Sequence, residues 1–170
     1  MLKLAGIQTD SIVDGPGIRT TFFCQGCPHH CEGCHNPETW PFAGGTEMDT
    51  EQMVQMVTSN PLCRGVTFSG GEPFAQAEGF LELAKVLKQK GYEIASYSGY
   101  TFEQLLAGTQ AQRTLLEYLD VLIDGPFIQN EKSLELAFRG SKNQRIIDVP
   151  KSLQTGSAIP VTSPRWLGEY

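Results

Sequence analysis

Three cysteines, in the pattern Cys27-x3-Cys31-x2-Cys34, directly follow the apolar run Thr20-Thr21-Phe22-Phe23. Three thiolates on one short loop can each hold one iron of a [4Fe–4S] cube, which is normally held by four cysteines. The fourth iron would then be open to a small molecule. Such a centre is set up for chemistry as well as electron carriage. Two rivals stand beside this reading. Cys24 turns the motif into two C-x2-C pairs, which suits a four-thiolate zinc site or a four-cysteine cluster. Zinc ribbons place their pairs a dozen or more residues apart, and the Cys27–Cys31 gap is far shorter. Cys24 also falls in a strand-like run. Cys24 and Cys63 read as small buried hydrophobes, the commonest fate of a free cysteine. His29, His30 and His35 lie close by, so a mixed Cys/His zinc site is conceivable, as is a purely loop-shaping role.

Further polar motifs punctuate the chain. Ser69-Gly70-Gly71-Glu72-Pro73 offers glycines that let a backbone approach a ligand closely, and Glu72 adds an acceptor for a cationic amine. Tyr97-Ser98-Gly99-Tyr100 combines a glycine turn with hydroxyls, of which Ser98 is a candidate ligand contact. Asp124-Gly125-Pro126 is a turn signal in its own right.

The stretch Asp14-Gly15-Pro16-Gly17-Ile18-Arg19-Thr20, followed by Gly26-Cys27-Pro28-His29-His30-Cys31-Glu32-Gly33-Cys34-His35-Asn36-Pro37-Glu38-Thr39-Trp40, resembles the radical S-adenosylmethionine (SAM) activases of glycyl radical enzymes. The resemblance covers most of residues 8–150. It implies a [4Fe–4S] cluster on Cys27, Cys31 and Cys34, with SAM on the open iron. It also implies SAM contacts from Gly33, Cys34, His35, Gly70, Gly71, Glu72 and Asp124. The activity implied is reductive cleavage of SAM to a 5′-deoxyadenosyl radical, which takes a hydrogen from a glycine of a partner enzyme. No side chain is then needed as a general acid or base, because the cofactors carry the chemistry. Phe138-Arg139-Gly140-Ser141-Lys142-Asn143-Gln144-Arg145 resembles the branch whose partner is the anaerobic ribonucleoside-triphosphate reductase catalytic subunit. A pyruvate formate-lyase type of target is the alternative. An external one-electron donor such as a flavodoxin is implied as well.

These loops need a scaffold that brings them together. Strand-like runs at Thr20–Cys24, Gly65–Phe68, Tyr92–Tyr97, Asp120–Ile123 and Arg145–Val149 alternate with helical patterns at Glu51–Ser59, Glu78–Lys90 and Gln110–Leu119. Thr101-x-x-Gln104 reads as a capping box opening a short helix. Alternating strands and helices predict an α/β fold with a parallel sheet and outer helices. The resemblance specifies a radical SAM-type partial (βα) barrel, shortened relative to larger activases. The cysteine loop, Ser69–Pro73, Ser98–Tyr100 and Asp124–Pro126 each follow a predicted strand. Loops leaving the C-terminal ends of parallel strands open on one edge, where such folds bind ligands.

The 170 residues suit a single domain, with a core over about 8–150 and an irregular tail over 151–170. A net charge of −6 argues against a nucleic-acid groove. The first residues carry no long apolar run, and no stretch reaches the roughly 18 apolar residues of a membrane span. The expected setting is the cytoplasm, where clustered cysteines more often bind metal than form disulfides.

Overall fold

The computed structural model describes residues 1–168. Seven strands form one sheet: β1 (Leu2–Ser11), β2 (Arg19–Cys24), β3 (Thr46–Met48), β4 (Gly65–Gly70), β5 (Glu93–Tyr97), β6 (Val121–Asp124) and β7 (Arg145–Asp148). Their order is β3-β1-β2-β4-β5-β6-β7. The centre, β2-β4-β5-β6, is parallel, as the alternation of elements predicts. Both flanks are antiparallel, so the sheet is mixed and not wholly parallel. β1 escapes a sequence reading because only Leu2 and Leu4 alternate with polar neighbours. Beyond them the strand runs along an uncovered edge with two register shifts.

Five helices follow: α1 (Thr50–Thr58), α2 (Ala77–Gln89), α3 (Phe102–Leu106), α4 (Gln110–Glu117) and α5 (Val149–Thr155). Three open on capping boxes, Asp49 with Gln52, Thr101 with Gln104 and Thr109 with Gln112. Each box satisfies two N-terminal donors that the helix itself leaves unpaired. α2 ends where Gly91 adopts a positive φ of 88°, the usual glycine stop. The tail departs from expectation. Residues 151–155 belong to α5, whose N-cap Asp148 accepts from the Lys151 amide and whose Pro150 sits in the first turn.

Strand alternation sorts the two faces of the sheet. Phe22, Cys24, Val66, Phe68, Ile94, Leu122 and Ile147 pack against the helices in the main core. Ala95, Tyr97, Val121, Ile123 and Ile146 point to the opposite, inner face, where Val161, Trp166 and Phe138 meet them. The inner face also carries Arg19, fully buried. Its guanidinium donates to Thr67 Oγ1 (2.9 Å), the Pro16 carbonyl (3.1 Å), the Val66 carbonyl (2.9 Å) and Glu93 Oε1 (2.7 Å). A buried charge with this many partners is tolerable where an unpaired one would not be. It ties the 12–18 loop to the sheet.

Candidate functional site

At the C-terminal ends of β2, β4 and β5 the inner face opens into a cavity of about 550 Å³. Cys27, Cys31 and Cys34 all line it, together with Ser69, Gly70, Gly71, Ser98 and Gly99. His35, Asn36 and Gly125 reach its wall too. The convergence expected of loops after parallel strands is therefore present.

The cysteine loop is held by backbone bonds. Gly26 N donates to the Thr39 carbonyl (2.6 Å) and Cys27 N to the Trp40 carbonyl (3.0 Å). The His30 ring stacks on Trp40 with centroids 4.7 Å apart. Burial pushes the Cys27 thiol up, opposed by the backbone N–H groups of His29 and His30. Burial likewise raises the Cys31 thiol, opposed by the Phe127 N–H. Amides aimed at sulfur favour the thiolate form that metal binding requires.

The glycine motif is explained by close packing. Gly71 N donates to the Cys24 carbonyl and Glu72 N to the Gly26 carbonyl, each at 2.8 Å. A Cβ on Gly71 would lie 2.3 Å from the Gly26 carbonyl oxygen, and one on Gly70 would lie 2.5 Å from the Cys24 nitrogen. Only glycine lets this turn press against the entry to the cysteine loop.

Three residues expected to contact SAM, Glu72, Asp124 and Gly33, do not stand on the cavity wall in this structure. Glu72 does not line the cavity. It is fully buried, and its carboxylate faces His29 Nε2 (2.6 Å) while accepting from Ser98 Oγ (2.9 Å), Gly99 N (2.7 Å) and Phe74 N (3.0 Å). The acceptor expected to meet an amine is committed to protein donors. Asp124 lies on the helix side of the sheet, because Val121 and Ile123 of the same strand point inward. It accepts from Phe102 N (2.7 Å) and pairs with Arg145 Nε (3.0 Å). That pairing raises the Arg145 guanidinium further above its usual range, helped by Glu103. Only the following residue, Gly125, reaches the cavity. Gly33, with a positive φ of 75°, lies behind Cys34 against Gln129 and is not part of the wall.

Cys24 is turned away as well. It packs among the helix-side core residues, accepts a bond from Gln76 Nε2 (3.2 Å), and burial pushes its thiol up to about 12. Cys63 is buried in the same layer. Both are the small buried hydrophobes expected of them. The thiol donor set facing the cavity is thus Cys27, Cys31 and Cys34. Thiols spread around a shared space suit a cube in which each iron takes its own thiolate. A mononuclear zinc site instead draws four ligands to one centre. In metal-free protein an alkylating reagent is expected to modify Cys31 and Cys34 first. Cys24 should react slower by on the order of a hundredfold or more, since burial removes both access and thiolate. Peptide mass spectrometry showing equal rates would contradict this placement.

Sequence reasoning missed His29 as the partner of Glu72, and it expected Trp166 to pack on its own domain without placing it on the inner face. Nothing in local spacing marks either, because both act across long sequence separations.

A family profile described as "4Fe-4S single cluster domain" matches residues 13–147. The anaerobic ribonucleoside-triphosphate reductase-activating protein of Vibrio cholerae is 37% identical over 79% of this chain and 90% of its own length. That of Escherichia coli K12 is 35% identical over 78% of this chain and 90% of its own length. The pyruvate formate-lyase-activating enzyme of Clostridium pasteurianum is 36% identical over 71% of this chain, which spans only 54% of that protein. Among solved structures, QueE from Escherichia coli aligns with a TM-score of 0.49 at 19% identity, over 59% of this chain and 53% of that one. The chain belongs to the 4Fe-4S single cluster domain family, among the anaerobic ribonucleoside-triphosphate reductase-activating proteins.

Proposed function

We propose that this chain is a radical SAM oxidoreductase that installs a glycyl radical on anaerobic ribonucleoside-triphosphate reductase, working from a single domain shaped as a partial (βα) barrel. The observation that carries the reading is the trio Cys27, Cys31 and Cys34 on one cavity wall, with Cys24 packed on the far side of the sheet. Three thiolates would hold three irons of a [4Fe–4S] cluster and leave the fourth for SAM. When bound, the cluster and SAM supply a one-electron cleavage that generates a hydrogen-abstracting radical.

The chain's own part is to bind, orient and exclude water. Gly70 and Gly71 bring backbone close to the cavity. Cys34, His35 and Ser98 offer contacts for SAM, and Gly33 supplies the positive-φ turn that presents Cys34. Glu72 contributes by fixing the loops, and Asp124 by tying β6 to α3 and Arg145. The partner's glycine must reach the same cavity. Val13 and Leu134 stand at the cavity wall 71% and 90% exposed, an apolar lip suited to receiving a loop of the reductase. An external one-electron donor such as a flavodoxin would reduce the cluster. Among the described residues no helix is long and apolar enough to cross a membrane. The pyruvate formate-lyase alternative is weaker, since the reductase activators align over nearly their whole length and the lyase activator over about half of its own.

The test is anaerobic reconstitution with iron and sulfide, reduction with SAM present, and assay of 5′-deoxyadenosine. Addition of the reductase should then give a glycyl radical signal by electron paramagnetic resonance. A metal centre indifferent to SAM would sink the reading.

A further inference from the structure

We propose that Trp166, in the C-terminal tail, is a positioning residue that sets the two side walls of the cavity. One wall is the 12–18 loop, through Val13 and Asp14. The other is the arm over 126–144, through Phe138, Arg139 and Gly140. Trp166 touches both. Its ring lies edge-on to Phe138, with centroids 5.4 Å apart and planes at 71°. It also lies against Gly15, where an added Cβ would be 3.0 Å from the indole. It is 2% exposed.

The indole is itself fixed from beneath. The Arg19 guanidinium sits 5.3 Å from the ring centroid, and Nε1 donates to Glu93 Oε2 at 3.4 Å. A cation over an aromatic face is attractive, more so when desolvated. Arg19 in turn holds the Pro16 carbonyl, and Thr67 Oγ1 donates to the Asp14 carbonyl at 2.8 Å. The arm has a second tie: Tyr97 Oη donates to the Phe138 carbonyl at 2.7 Å. Phe138 has a positive φ of 59°. A non-glycine residue holds that conformation only where its surroundings impose it. The imposing contacts are Tyr97 and Trp166. The arm's other bonds tie it to itself and to Gly125 at its base, among them Gly140 N to Gln144 Oε1 (2.8 Å), Ile128 N to Ser141 Oγ (3.2 Å), Lys142 N to the Glu131 carbonyl (2.9 Å) and Gln144 Nε2 to the Gly125 carbonyl (3.1 Å), so Tyr97 and Trp166 are what hold Phe138 to the sheet. Without the indole the arm loses the edge contact at its strained residue, and the 12–18 loop loses its backing in the same step.

This inference rests on the activase reading only for what the cavity holds, so its test has two independent parts. In metal-free protein, Trp166→Leu keeps apolar bulk but removes the ring. Hydrogen exchange at the Gly140 and Lys142 amides should quicken about tenfold or more, while α1 and α2 keep wild-type rates. Trp166→Phe, which retains a ring against Phe138 and over Arg19, should restore slow exchange. In reconstituted protein, Trp166→Leu should raise the KM for SAM about tenfold and leave kcat for 5′-deoxyadenosine within about twofold. Unchanged arm exchange in Trp166→Leu overturns the proposal. So does quickening spread evenly over the helices, which would mean ordinary destabilisation. Were wild-type protein to yield no 5′-deoxyadenosine, the activase reading would fail, while the exchange result would still decide the role of Trp166.

Discussion

Alanine at Cys27, Cys31 or Cys34 is expected to abolish the reconstituted [4Fe–4S] signal and with it all 5′-deoxyadenosine formation. Alanine at Cys24 is expected to leave both within about twofold of wild type. The asymmetry follows from strand geometry. Cys24 closes β2 on the face packed against the helices, where burial pushes its thiol up to about 12. A neutral thiol on the wrong face of a sheet cannot serve a cavity on the other. Its removal should cost only about 1 kcal/mol of stability, the scale of a small cavity. A second consequence concerns pH. The folded-state value lies above the ordinary 9.0, so the folded chain disfavours the thiolate. The stability this gives is fully present below pH 9 and is lost as pH rises from 9 towards 12. Cys24→Ala should remove that part of the alkaline destabilisation. Iron and sulfide content, the visible spectrum and urea melts at pH 8 and pH 10.5 are the measurements. Loss of the cluster in Cys24→Ala would revive a four-thiolate centre and undo the open-iron argument.

Much of the scaffold was legible because local signals and tertiary needs agree. Phe80, Leu83, Ala84 and Leu87 recur at helical spacing, and all four are buried in α2. Thr101-x-x-Gln104 forms its capping box as the pattern requires. The parallel strands β4, β5 and β6 stand within a residue or two of the runs that suggested them. What was not legible, strand β1 and the facing of Asp124, shares a cause. β1 gives little periodicity because much of it packs against only one neighbour. Asp124 looks like a loop residue beside Gly125-Pro126, yet strand pairing reaches it, with Asp124 opposite Arg145. Alternation then sends its side chain to the helix side. Single-residue facing is decided by where pairing stops, and sequence patterns fix that boundary poorly. The gathering of Cys27, Cys31 and Cys34 on one cavity wall, by contrast, was legible, since it depends on spacing within one loop.

Removal of the Glu72 carboxylate is expected to damage the cysteine loop before it affects any cofactor contact. Three segments meet at this side chain. His29 comes from the cysteine loop, Ser98 and Gly99 from the turn after β5, and Phe74 from the turn after β4. Glu72→Ala leaves the buried Phe74 amide, the half-buried Gly99 amide and the Ser98 hydroxyl without their acceptor, at about 1–3 kcal/mol each. Part of this is relieved as the turn relaxes towards water, so a net loss of about 3–5 kcal/mol is the expected scale. His29→Ala severs only the bond to the cysteine loop, and its side chain is 17% exposed, so a smaller loss of about 1–2 kcal/mol follows. Because the two residues share one contact, the double variant should be less destabilised than the sum of the singles. Hydrogen exchange over residues 27–36 in metal-free protein should quicken in both singles, and iron retention after reconstitution should fall in both. A residue whose only task was to hold the amine of SAM would behave otherwise: Glu72→Ala would keep its cluster and its loop protection and lose only SAM affinity. Gly99 supplies an independent check on the same clasp. A Cβ there would lie 2.4 Å from the His29 ring, so Gly99→Ala must push the imidazole off Glu72 or shift the turn. It should reproduce the His29→Ala exchange pattern without deleting any polar group, which ties the effect to where His29 sits.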